Sequence, residues 1–497
     1  MGGKFITVIC FGAMSLKKSP KKNKIQPVVA PEPTPRYLEF LHEQWVTLSL
    51  ISLVVMGCVL RFYNITFNSL WIDETATYSF AQHTITEIWG FTAYGSEFNP
   101  PLFFWIEHYM LMFGNSELVL RFIPAIAGIA TIPIFFLIGR ELKDDATGLI
   151  AAFILTISQF AIFYSQEARA YSLLLLFVSI ALYFYIRAID ENQTKDWIFM
   201  GICTSIAVWT HFYAAIVIVP MFLSMLWIYR KNILQPIKTI GIFIVTTFPL
   251  IIATVGLFMK RVSSPPTYGV KGLDLIQNTM LTIGNFNVYM EWFIIGLICF
   301  GLYVLFVKER KYFYTFILFI LIGFAVSIIF SYSIPMLPRY LIVMLPVFFI
   351  IIAYGISDLL KNYKILPVII LVIFIIFSVT TLQTYYTTFT KEDWRGYAEK
   401  LAYDTQPGDN IIIIPSYVKL SLDYYYNNTT DSTNEFGVYN YTELMQHANT
   451  PNAYIIITSD IFSVDTNGSM LKWLQNNNQY IGEYSSIGTF TNKGINI

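Results

Sequence analysis

Two neighbouring carboxylates, Asp73 and Glu74, stand in the stretch SLWIDETATYSF (69–80) beside Trp71, Ile72 and Tyr78. Adjacent acids repel, so such a pair is expected to hold one member partly protonated or paired with a cation, and a carboxylate poised this way suits general-base work. A second acid, Glu167, sits with Gln166, Arg169 and Tyr171 in FYSQEARAYSLL (163–174), where polar groups interrupt long apolar runs. Ionisable groups in such positions are costly and usually functional. Arg339 lies between prolines in SIPMLPRYLIVMLP (333–346), and its guanidinium suits a two-pronged contact with phosphate. Lys260 and Arg261 in MKRVSSPPTYGVKG (259–272) are placed to fold over a substrate, and His211 falls in VWTHFYAA (208–215). The double proline of SEFNPPLFFW (96–105) forbids regular helix at its start, and Asn99 before it is expected, with Gln166 and Tyr171, to line a substrate cavity shared with Asp73. Blander readings stand beside each of these: solvated loop acids, a Glu167–Arg169 pair ending a helix hairpin, and an interfacial histidine anchor.

The elements that must position these groups are set by composition. The 497 residues are 55% hydrophobic and 13% charged, with a mean hydropathy of +0.56. A soluble surface needs roughly 25% charged residues, so the chain reads as a polytopic α-helical membrane protein. The apolar runs predict about eleven spans, near 45–62, 118–139, 147–165, 170–187, 197–210, 212–229, 239–259, 291–307, 312–332, 339–357 and 364–384. Lysine and arginine cluster in alternate connections if the N-terminus is cytosolic, and the candidate acids then face outward. This parse requires that PPLFFWIEHYMLMF (100–113) lies in the outer interface rather than crossing, which leaves a long outer loop, 63–117, carrying Asp73.

Residues 1–44 are expected to be a basic, partly disordered cytosolic segment, and 45–385 the membrane domain. From 386 to 497 the pattern becomes polar, with helix periodicity alternating with strands such as NIIIIP, and predicts a small external α/β domain. It carries glycosylation sequons at Asn427, Asn428, Asn440 and Asn467. The four cysteines, Cys10, Cys58, Cys203 and Cys299, show no pairing pattern and no metal spacing. No P-loop, Rossmann glycine signature or HExxH occurs, and no nucleic-acid partner is expected.

The ordered motifs SLWIDET, NPPLFFW, the run from SELVLRFIPA through FYSQEARAYSLLLL, HFYA and PRYLIVMLP together resemble the GT-C membrane glycosyltransferases, the superfamily of protein O-mannosyltransferases and lipid A aminoarabinose transferases. The resemblance spans roughly residues 45–385. It implies a polyprenyl-phosphate-linked sugar, dolichyl or undecaprenyl, as donor, an extracytoplasmic acceptor, and transfer with inversion at a plasma-membrane site. Carried over by position, Asp73 matches the catalytic acid of the first loop and Glu74 its neighbour. Glu167 and Arg169 match a QEAR signature, while Arg339 and His211 match polar positions near the donor phosphate. Many relatives have histidine where this chain has Asn99, and the WWDYG signature of oligosaccharyltransferases is absent. No cofactor is required by the pattern, and a divalent cation between Asp73 and Glu167 stays open. The competing reading is a lipid-linked sugar flippase, which would want polar groups near mid-membrane and broken helices in corresponding halves.

Overall fold

The computed structural model describes residues 36–95, 97–263, 266, 268–426 and 434–493. The chain divides into two compact units, Met1–Trp45 and Val46–Ile497. Most of the basic N-terminal segment lies outside the described residues, as do Cys10 and the sequons at Asn427 and Asn428.

All eleven apolar runs are helical, and their lengths sort them. Among the described residues eight helices are long and apolar enough to span: Gln44–Phe62, Glu117–Leu142, Tyr171–Glu191, Leu234–Val262, Val288–Lys308, Arg310–Ser331, Pro338–Leu359 and Ile365–Thr387. A ninth crossing arises if Asp145–Ile157 and Gln159–Ser165, bent by 60° at Ser158, count as one. Helix Thr194–Thr210 has 17 residues, and Phe212–Ile228 is likewise a shorter apolar segment. The helical segment Pro338–Leu359 is buried along its length from Tyr340 to Ser357.

The bend matters because it aims the next loop, 166–170, at the acids of the 63–117 loop. Ser158 breaks the helix with extended backbone and caps the second half through its Oγ, which accepts from Ala161 N. The carbonyls this break would orphan are taken up by Arg61, whose buried guanidinium donates to Leu155 O and Thr156 O at 3.3 Å each. Helices Glu117–Leu142 and Asp145–Ile157 approach through glycines: a Cβ on Gly148 would lie 2.4 Å from Phe136 O.

Residues 100–113 form helix Leu102–Met110 and a 3-10 turn to Phe113, too short to cross a bilayer. Glu107 on it is buried rather than surface-facing.

The C-terminal part is a five-stranded sheet of β1 (Asn410–Ile414), β2 (Asn434–Gly437), β3 (Ala453–Ile457), β4 (Gln479–Tyr484) and β5 (Ile487–Thr491) in the order β2-β1-β3-β5-β4. The β1 strand pairs in parallel with β2 and β3, whereas β5 runs antiparallel to β3 and β4. The continuous isoleucines of β1 are what burial on both faces demands. Ile411 and Ile413 pack with Trp394 and Tyr397 on one side, Ile412 and Ile414 with Met470 and Leu474 on the other. This sheet domain belongs to the same compact unit as the helices. Ser69 Oγ donates to Asp393 Oδ1 at 2.7 Å, Leu70 N to Tyr425 Oη at 2.7 Å, and Arg395 pairs with Glu117.

Gly148→Ala is expected to force these helices apart at a cost of about 1–3 kcal/mol. Thermal unfolding in detergent should show a lowered midpoint, while Gly241→Ala, with nothing within 4 Å of the added carbon, leaves it unchanged or raised. Equal midpoints for both variants would contradict this packing.

Candidate active site

The adjacent acids lie at the start of helix Ile72–Ala81 and point in different directions. Glu74 turns inward and is fully buried. Its Oε1 accepts from Arg121 Nε and Ala168 N, both at 2.8 Å, and its Oε2 from Arg121 Nη2 at 2.8 Å and Lys391 Nζ at 2.9 Å. Burial pushes its carboxyl up, but the Arg121 and Lys391 charges outweigh that and hold it well below the ordinary carboxylate range. Every lone pair is committed and no face remains for a substrate, so Glu74, grouped by sequence with Asp73 as a catalytic pair, ties the structure together and does not face the cavity.

Asp73 stays partly exposed, its Oδ2 3.2 Å from Arg339 Nη2. Arg169 Nη1 donates to the Asp73 carbonyl at 3.1 Å and to Thr77 Oγ1 at 3.3 Å, which fixes the first turn of the helix. Arg169 thus positions Asp73 through its backbone.

Beside this pair opens a cavity of about 500 Å³ whose wall includes Trp71, Glu167, Arg339, Lys391, Glu392 and Asp460. Glu167 is fully buried; its Oε1 accepts from Trp71 Nε1 at 2.8 Å, while Oε2 has no partner. Burial raises its carboxyl above the ordinary range, Lys391 opposes the rise, and the negative charge of Glu74 adds to it. Arg339 and Lys391 lie 5.2 and 5.6 Å from the Trp71 ring centre, and Arg339 Nε is buried without a partner. A cavity with two cations, one of them holding a spare donor, and an unsatisfied acid can bind an anion next to a carboxylate.

Several sequence expectations are corrected. Gln166 does not face the cavity: its Nε2 donates to Arg61 O at 3.0 Å and Tyr63 O at 2.8 Å, capping the end of helix Arg36–Phe62 as a glutamine amide can. Asn99 is held by Glu97, with Asn99 Nδ2 donating to Glu97 Oε1 at 2.7 Å. It shares with Arg169, Tyr171 and His211 a crevice of only about 10 Å³, room for little more than one water. His211 is buried in an aromatic stack with Tyr171, Tyr213 and Tyr340, and burial followed by the Arg169 and Arg339 charges keeps its imidazole neutral at ordinary pH. Tyr171 lies under Arg339, 5.9 Å from ring centre to guanidinium. Lys260 is exposed at the end of helix Leu234–Val262, and Arg261 stacks on Phe98 at 4.6 Å; neither lines the cavity.

The residues that sequence reading missed are Arg121, Lys391 and Asp460. Arg121 was signalled by its cost, since it interrupts the apolar run LVLRFIPA. Lys391, directly after the last span, and Asp460, at the end of β3, carry no local signal, because only folding brings the sheet domain over the loop. Among the described residues no three His, Cys, Asp or Glu side chains gather as a metal site requires, and the cation facing Asp73 is Arg339.

Comparison with known proteins bears on the fold. The family model described as dolichyl-phosphate-mannose-protein mannosyltransferase matches residues 99–255. No curated protein matches the chain by sequence. Among solved structures, ArnT from Cupriavidus metallidurans in the apo state superposes with a TM-score of 0.58 at 10% identity, covering 91% of this chain and 98% of that one. AglB, the oligosaccharyltransferase from Archaeoglobus fulgidus, in complex with an inhibitory peptide and a dolichol-phosphate, gives 0.56 at 14%, covering 92% and 75%.

The chain has a GT-C fold. The fold expected from the motifs is therefore borne out, including the C-terminal sheet domain.

Removing one partner of a buried ion pair costs about 3–5 kcal/mol, so Glu74→Gln should lower thermal stability severely. Asp73→Asn, which breaks a single, partly exposed contact at 3.2 Å, should cost less, about 1 kcal/mol. Because the Glu74 carboxyl is depressed in the folded protein, its contribution is complete above the unfolded value near 4.5 and is lost as pH falls below it. Acid unfolding of wild type against Glu74→Gln tests this, and parallel curves would contradict it.

Proposed function

We propose that this cavity transfers a sugar from a polyprenyl-phosphate carrier to a hydroxyl of an extracytoplasmic acceptor, with inversion at the anomeric carbon. The observation that carries the reading is the Asp73–Arg339 pair, 3.2 Å apart, at the edge of a cavity holding a second cation, Lys391, and the free oxygen of Glu167. The GT-C fold, and solved relatives of that fold whose structures contain undecaprenyl phosphate and a dolichol-phosphate, support a lipid-phosphate donor.

In this reading the donor phosphate takes Arg339 and Lys391, competing with Asp73 for the guanidinium and leaving the Asp73 carboxylate free to receive a proton. The acceptor hydroxyl gives that proton to Asp73 as its oxygen bonds to the anomeric carbon, and the bond from that carbon to the phosphate oxygen breaks with its electron pair on phosphate. The leaving group departs ionised, so fixed cations stabilise it without supplying a proton. Glu167, whose Oε2 has no partner at the cavity wall, accepts a hydrogen bond from a hydroxyl of the donor sugar. Glu74 and Arg169 act as positioning residues.

An apolar groove of about 310 Å³ lined by Phe98, Phe212, Tyr213, Phe258 and Phe330, among others, suits the isoprenoid tail. Tyr213 at its wall stacks on Tyr340 at 4.2 Å, next to Arg339 in the chain. The lysine and arginine bias of the connections supports placing the cavity on the outer side of the cell membrane, with the N-terminus in the cytoplasm.

Purified protein in nanodiscs, given labelled dolichyl- and undecaprenyl-phosphate sugars and an envelope extract as acceptor source, should release polyprenyl phosphate and label the extract. Asp73→Asn should reduce the turnover rate by about 10²–10⁴. Full turnover by this variant would contradict the assignment of Asp73 as base.

A further inference from the structure

The reaction cavity does not end at the membrane domain. A second cavity of about 540 Å³ crosses one face of the C-terminal sheet and shares Ser459 and Ser486 with the first. Its walls carry two aromatic rings open to solvent, Phe462 at 68% and Tyr480 at 50% exposure, and the exposed polar side chains of Gln475 and Glu483.

Local backbone features build this groove. Side chains alternate along a strand, so residues 480 and 483 of β4 should face opposite sides. A register irregularity between Tyr480 and Gly482, with Gly482 at φ +138°, adds one residue and turns both Tyr480 and Glu483 toward the groove. The hairpin turn that follows has Ser485 at φ +48° and Ser486 at φ +66°, left-handed positions usually given to Gly or Asn. Ser485 Oγ accepts from Asp393 N at 2.9 Å, and Ser486 stands at the junction of the two cavities.

We infer that this groove binds a carbohydrate chain, the glycan acceptor whose terminal hydroxyl reaches Asp73. The inference rests on the transfer reading above and names its acceptor class. Open rings beside carboxylate, amide and hydroxyl groups match a pyranose, whose C–H faces stack on an aromatic ring while its hydroxyls bond the polar side chains. A peptide added as a strand would need the free backbone edge of the sheet, whereas this groove lies on the face. The acids along it, Glu483 and then Asp460 and Glu392 in the reaction cavity, act as hydroxyl acceptors.

The test uses the full-length detergent-solubilised protein on two arrays, one of immobilised neutral oligosaccharides and one of unstructured serine- and threonine-rich peptides. Wild type should bind a subset of the oligosaccharides, Phe462→Ala/Tyr480→Ala should bind them at least about tenfold more weakly, and Tyr480→Phe should retain binding because the ring remains. Oligosaccharide binding that the double variant keeps, absence of such binding by wild type, or binding to peptides that the double variant loses would overturn the inference. Normal transfer by Asp73→Asn alongside groove-dependent glycan binding would instead sink the catalytic reading alone.

Discussion

A carboxylate removed from water must find cations and donors to match, and Glu74 finds its shortest contacts in three distant parts of the chain. Arg121 comes from a membrane helix, Ala168 N from the loop after the bent pair, and Lys391 from the segment entering the sheet domain. A buried ion pair with imperfect geometry would be unfavourable, so these three segments are held in one arrangement by the electrostatic demand of one side chain. Everything proposed for the cavity inherits its geometry from that node: Asp73 is the next residue along the same helix, Glu167 precedes Ala168, and Lys391 lines the cavity from its other side.

The result is a division of labour between two layers. The helical layer supplies Asp73 from helix Ile72–Ala81, Glu167 from the 166–170 loop and Arg339 from the start of Pro338–Leu359. The sheet layer supplies Lys391, Asp460 and the serines of the β4–β5 turn, and so closes the space in which water is displaced. Groups that repel in isolation are kept together because each is answered by an opposite charge: Asp73 by Arg339, Glu74 by Arg121 and Lys391. Glu167, on the cavity wall, keeps one buried oxygen without a hydrogen-bond partner, which leaves it able to take a ligand.

How far the sequence could be read follows from the range of the forces involved. Hydropathy is local and additive along a helix, so every apolar run appears as a helix, and the isoleucines of β1 announced a buried strand. Crossing counts were less legible, because helix Thr194–Thr210 and the segment Phe212–Ile228 sit at the lower limit of length and the bend at Ser158 is caused by a serine cap and Arg61 rather than by proline. At the site, Asp73, Glu167 and Arg339 converge as expected, whereas Gln166 was misread because a polar side chain beside acids looks like a cavity residue when it is satisfying the end of a distant helix. Asn99, His211, Lys260 and Arg261 share the neighbourhood without sharing the cavity. Lys391 was invisible because its meaning depends on a contact with Glu74 across 317 residues of chain.

The central claim is that Arg339 and Lys391 receive the donor phosphate beside Asp73. An experimental structure with a polyprenyl phosphate bound tests it most directly. The phosphate oxygens should lie within hydrogen-bonding distance of Arg339 Nε and Lys391 Nζ, with Asp73 displaced from Arg339; a phosphate held instead by Lys260 and Arg261, with the Asp73–Arg339 pair intact, would contradict the account.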